Sequence, residues 1–177
     1  NLPEDRRIRR IDLEKPEPRG WITKKKNMIV DAAAYQNLCI MHDRFVFPSD
    51  FLRAMERYGR VFSFLTFPSP YFPESSGISR LRYADYQVIF DHSIEGALEY
   101  KVFHGSKIFH PSYHDFHETA FCCGGVYVTK KALWDFVRQD ESLYHCEWED
   151  AVFGLESQKK GIPHRINPYT CFESTNP

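Results

Sequence analysis

Four consecutive apolar residues, Leu38-Cys39-Ile40-Met41, stop abruptly at His42-Asp43-Arg44. An extended run of that kind is apolar on both faces, so it predicts a strand hidden in the middle of a parallel sheet. An Ala-rich stretch from Met28 to Tyr35, led in by Lys24-Lys25-Lys26-Asn27, predicts a helix that ends near Asn37. Helix, hidden strand and sudden polar stop together place the chain in the α/β class. They also deliver charged residues to the carboxyl end of a strand, where open α/β sheets bind ligands.

The rest of the chain continues that alternation. Pro48-Ser49-Asp50 opens a helix over 51–58, with Ser49 or Asp50 as N-cap and Gly59 as its stop. Strands are predicted at 61–65, 86–90, 98–103 and 125–129, and a helix from Lys130 or Lys131 to 137. Another helix covers 151–160, with Glu149 and Asp150 near its positive dipole end and Gly161 beyond it. Residues 68–77 read as a loop, and 104–120, polar and rich in histidine, as a long functional loop. Residues 1–20 carry Arg6, Arg7, Arg9 and Arg10, then Lys15-Pro16-Glu17-Pro18, and read as an extended charged arm before a domain at 21–177.

Composition narrows the function classes. With 23 Lys plus Arg against 24 Asp plus Glu, the net charge of -1 argues against a dedicated nucleic-acid binder. At 42% hydrophobic and 27% charged, the 177 residues are globular rather than disordered. The sequence holds no run of about 18 apolar residues that could span a bilayer. Cys39, Cys122, Cys123, Cys146 and Cys171 are odd in number and lack a CxxC pair, so they read as reduced thiols. That points to a cytoplasmic setting. An aromatic content of 16% suits a thick core, or a cleft that stacks on ring-shaped ligands.

Three constellations could carry chemistry. Asp43, at the predicted mouth of the sheet, offers a hard oxygen ligand for Mg²⁺ or Mn²⁺, and a strand-end Asp also serves as a turn-former. Gly124-Gly125 before a strand lets a ligand approach the backbone. Glu149-Asp150 offers a general base, or simply complements a helix dipole. The third group is His104, His110, His114, Asp115, His117 and Glu118. Its spacing would suit zinc or iron on a helix, but Pro111 and Ser112 interrupt one, so a loop lining an acceptor or facing solvent is the simpler reading.

Taken in order, Lys26-Asn27, the strand ending at Asp43, Gly124-Gly125 and Trp148-Glu149-Asp150 resemble the GT-A glycosyltransferases, in particular the family 2-like inverting enzymes. The resemblance runs over about residues 21–170. Its most specific part is the Glu149-Asp150 block with Phe153, Gly154, Leu155, Gln158 and Gly161 behind it. It implies a metal-assisted transfer of sugar from a nucleoside-diphosphate donor to a glycan or other hydroxyl acceptor. Asp43 matches the second, metal-contacting acid of the Asp-x-Asp motif, while Met41 stands at the first. His42, the intervening residue, is expected to contact the diphosphate or a sugar, Arg44 is expected on the donor side, and Lys26 and Asn27 match the segment near the nucleotide. Asp150 matches the general base and Glu149 its acceptor-binding neighbour. Cys123, Gly124 and Gly125 match the strand entry that lines the sugar pocket in that family; beside the resemblance, Trp148 is expected to stack on a sugar ring and Asp115 or His117 of the loop to hydrogen-bond sugar hydroxyls. Only about forty residues precede Asp43, so the nucleotide-binding strands of that family are expected to lie outside this stretch of chain. Two other readings follow from the residues: a non-catalytic carbohydrate- or partner-binding module on the same scaffold, and a metal-dependent enzyme using the His104–His117 loop.

Overall fold

A computed structural model describes residues 5–15, 17–68, 70–71, 82–83, 86–89, 108–109, 120–145 and 147–175. In chain order the elements are α1 (Ile22–Ala32), β1 (Asn37–Met41), β2 (Phe45–Val46), α2 (Phe51–Tyr58), β3 (Phe64–Thr66), β4 (Pro70–Tyr71), β5 (Arg82–Tyr83) and β6 (Tyr86–Ile89). Then come β7 (Ile108–Phe109), β8 (Ala120–Cys122), β9 (Val126–Lys130), α3 (Lys131–Phe136), α4 (Glu149–Lys159), β10 (His164–Ile166) and β11 (Glu173–Ser174). The α/β class is as expected; the predicted strand at 98–103 lies outside the described residues.

The main sheet is mixed, in the order β1-β9-β3-β10. β9 runs antiparallel to β1 and β3, and only β3 and β10 are parallel. This corrects the reading of β1 as a central parallel strand, because among the described residues it has one neighbour. Its burial alternates instead, with Cys39 exposed on the face opposite Leu38 and Ile40. Leu38 and Ile40 enter one core, and Met41 packs against the other.

Side chains that alternate along β9 and β3 divide in the same way. Tyr127 and Phe64 join Val30 of α1, Trp134 of α3 and Phe153 of α4 on one face. Val126, Val128 and Leu65 join Phe51 of α2, Phe45, Phe67 and Phe172 on the other. Most of the chain's aromatic surplus among the described residues serves these cores. Phe64, fully buried, meets Tyr127, Trp134, Phe153 and His164 within 6.3 Å centroid to centroid. A second sheet, ordered β7-β6-β8, abuts α4 through β8. That contact needs Gly154, since a Cβ there would fall 2.2 Å from the Phe121 Cβ.

α1 begins at Ile22, six residues before the Ala-rich stretch, and ends at Ala32. Its buried stripe is Thr23, Lys26, Asn27 and Val30, a helical spacing in which only one residue is apolar. Hydropathy cannot see such a stripe; hydrogen bonds sustain it. Asn27 donates to the carbonyl of Gln139 and to Glu141 Oε1, and its Oδ1 accepts the Trp134 indole N–H at 2.9 Å. Thr23 donates to the Leu143 carbonyl. The charged arm is docked where it meets α1: the Trp21 ring stacks on Tyr144, and the Arg19 guanidinium sits 3.5 Å from the Tyr144 ring centre.

Candidate active site

The cluster forms where the carboxyl end of β1 meets the turn before β9. Register pairs Met41 with Val126, and the next amide, His42 N–H, donates to the Gly125 carbonyl at 2.8 Å. One residue earlier, the Gly124 N–H donates to Asp150 Oδ2 at 2.6 Å. Asp150 Oδ1 takes the ammonium of Lys26 at 3.3 Å. Four segments that are far apart in sequence therefore converge on one carboxylate: Lys26, His42, Gly124-Gly125 and Glu149-Asp150.

Glycine at 124 is a spatial requirement. A Cβ there would stand 2.4 Å from Asp150 Oδ1 and 2.5 Å from Lys26 Nζ, between the members of the ion pair. Lys26 is 2% exposed, and its Nζ lies 5.4 Å from the centre of the Tyr127 ring. Desolvating an ammonium this far is costly, and Asp150 together with the ring face offsets that cost. Sequence reasoning missed Tyr127. Burial holds its phenol well above the usual range, and the Asp150 charge pushes the same way. Its place three residues after Gly124, on an alternating strand, was the available signal.

The adjacent acid differs from Asp150 in environment. Glu149 is buried, and burial followed by the Asp150 charge pushes its carboxyl up to about 7, with Lys26 opposing. Near neutrality its protonated and ionised forms are both populated, so it can donate as well as accept. Asp150, 24% exposed, keeps lone pairs free beyond its two contacts. Two neighbouring carboxyls set apart in this way are a pattern seen where acid and base roles are divided.

Trp148 positions both acids. It caps α4 with φ of 61°, the left-handed region, and is the one non-glycine residue with positive φ among those described. That conformation costs about 1–2 kcal/mol for a residue bearing a Cβ. Trp148 and the half-buried Cys123 pack on Phe121 and Ala151, beside the Gly124 turn.

His42 faces the cluster from β1. Burial, then the charges of Lys26 and Arg44, push its imidazole down to about 4 against the pull of Asp150. Its Nε2 is buried with no hydrogen-bond partner among the described residues. Asp43 is exposed and makes no ion pair or hydrogen bond among the described residues, so both its oxygens are open. A single carboxylate suits Mg²⁺ or Mn²⁺ only where phosphate and water supply the remaining ligands. Among the described residues no group of three acidic, cysteine or histidine side chains could by itself hold a metal.

The structure thus brings Lys26, His42, Cys123, Gly124, Gly125, Trp148, Glu149 and Asp150 together, with Asp43 and Arg44 directly after His42. It moves Asn27 out of the predicted set: its amide is spent tying α1 to α3 and the chain after it. His164 is a core residue. It is buried against Phe64, its Nδ1 accepts the Cys122 N–H at 3.0 Å, and burial pushes its imidazole down to about 3. His104, His110, His114, Asp115, His117 and Glu118 lie outside the described residues. Clefts of about 600, 540 and 450 Å³ lie elsewhere, none of them lined by Asp43 or Asp150. No helix among the described residues is long and apolar enough to cross a membrane. Compared with known protein families and with curated protein sequences, the chain matches none.

Proposed function

We propose that this chain carries the acceptor side of an inverting, GT-A-type glycosyl transfer, from a nucleoside-diphosphate sugar to a hydroxyl of a glycan or similar acceptor. The observation that carries the reading is the meeting of Lys26, His42, Gly124-Gly125 and Glu149 around Asp150. Asp150 takes the proton of the acceptor hydroxyl. The freed oxygen pair bonds to the anomeric carbon from the face opposite the diphosphate, and the bond to the diphosphate breaks with its electrons leaving on phosphate oxygen. Glu149, carrying a proton near neutrality, hydrogen-bonds a neighbouring acceptor hydroxyl and orients it. Trp148 offers a ring face to the sugar. Asp43 is the residue that would hold Mg²⁺ or Mn²⁺, whose chemistry is to neutralise the departing diphosphate.

The test pairs binding with turnover. Thermal shifts with UDP-, GDP-, CDP- and dTDP-sugars, with Mn²⁺ present, identify the donor. The Asp150→Asn variant should then lose about 10²–10⁴-fold in transfer while keeping that shift. Full turnover in this variant overturns the assignment of the base. A second reading has support from Met41 at the first acid of the motif and from the Lys26 ammonium already seated on Asp150. It is a non-catalytic carbohydrate-binding module on the same scaffold. Glycan binding without any nucleotide-dependent shift favours it.

A further inference from the structure

The outer edge of β1 is unpaired among the described strands. The Gln36 carbonyl accepts from Lys131 and the His42 N–H donates to Gly125, so the even-numbered residues of the strand face β9. The N–H and C=O groups of Asn37, Cys39 and Met41 therefore point away from the sheet, and no described strand pairs with them. Sheet edges are normally blunted by proline, charge or a bulge. Asn-Leu-Cys-Ile-Met has none of these.

The space beside the edge is shaped on both faces of the sheet. On the α2 side, a cleft of about 600 Å³ is lined by Cys39, Val128, Leu52, Met55 and Phe62. On the α1 side, a cleft of about 450 Å³ is lined by Ile29, Ala33, Leu38 and Ile40. Both reach Asn37, Leu38 and Cys39, so they meet along the strand. Successive side chains of an added strand point to opposite faces and would drop alternately into the two clefts. The rim is cationic. Arg6 and Arg9 border one cleft, Arg60 and Lys130 the other, against Glu56 alone, and none of the four cations is in an ion pair among the described residues.

We propose that the β1 edge is a docking seat for an extended polypeptide strand with an apolar centre and acidic ends. The main-chain groups of Asn37, Cys39 and Met41 give the pairing. The two clefts select apolar side chains, and the arginines select the acidic flanks. A second copy of this chain fits less well, because its own cationic rim would face this one.

Selection of displayed nine-residue peptides on the wild-type protein tests the seat. The expected winners alternate apolar residues between Asp or Glu ends. A fluorescein-labelled winner should bind Cys39→Pro, which lacks the outward amide, at least about tenfold more weakly, with a similar loss in the Arg6→Glu/Arg9→Glu double variant. Far-UV circular dichroism checks that Cys39→Pro folds. If it does not, Cys39→Glu takes its place, setting a like charge against the peptide. No enrichment, or binding that survives both edge substitutions, overturns the proposal. So does a wild-type dimer by light scattering that Cys39→Pro converts to monomer, since the occupant is then a second copy. Slow hydrogen exchange at the Cys39 and Met41 amides of the free monomer also overturns it, since the chain then covers its own edge.

Discussion

Asp150 illustrates how little space separates function from misfit at a single residue. Its carboxylate, the Lys26 ammonium and the Gly124 amide occupy one tight corner, and a Cβ added at Gly124 would have to displace one of them. Gly124→Ala should therefore cost about 1–3 kcal/mol, in the range of other overpacked sites, and be read as a lower urea midpoint. Lys26→Met should cost about 2 kcal/mol. That is less than the 3–5 typical of a fully buried pair, because Asp150 keeps some water and the Gly124 amide. Glu149-Asp150 and Gly124-Gly125 were legible in the sequence as motifs. That Lys26 serves the acid and Asn27 serves the scaffold was not, because burial and partners a hundred residues away leave no local trace.

Elements show the same contrast. α4 and α2 were readable from acidic residues, glycine stops and apolar spacing, and both end where Gly161 and Gly59 indicate, within a residue or two. α1 was read late because its packed stripe is polar: Thr23, Lys26 and Asn27 reach it through hydrogen bonds that hydropathy ignores. Asn27→Ala should destabilise by about 2–4 kcal/mol, since the Trp134 indole and the Gln139 amide both lose a buried acceptor. Tryptophan emission should shift on the same urea curve. A loss of stability with nucleotide response intact would separate this scaffolding role from the nucleotide contact that the sequence suggested. β1 was misjudged for another reason. Consecutive apolar residues look alike whether a strand lies buried inside a sheet or at its edge with one face open, and only pairing and burial distinguish the two.

At the scale of the whole molecule, buried titratable groups set the pH range of stability. Folding raises Glu149 from 4.5 to about 7, so the fold favours its protonated form. That contribution is complete below 4.5 and is lost as pH rises through 7. His42 and His164 are lowered from 6.5 to about 4 and about 3, so the fold favours their neutral forms. Their contribution is present above 6.5 and is lost as pH falls through those values. Urea midpoints should thus decline on both sides of mildly acidic pH. Glu149→Gln should flatten the alkaline limb alone and His42→Gln should soften the acid one. A wild-type profile flat from about pH 4 to 8 would contradict both assignments.

The sealed position of Lys26 has a practical use. An amine-acylating reagent will mark Lys24 and Lys25 quickly, since they lie on the half-open and open sides of α1, but will reach Lys26 only when that helix lifts from the sheet. The mass of the peptide holding all three lysines then works as a clock. Its slow third addition counts openings of the Lys26–Asp150 corner, and a ligand that closes the corner should slow that count while leaving the first two marks unchanged.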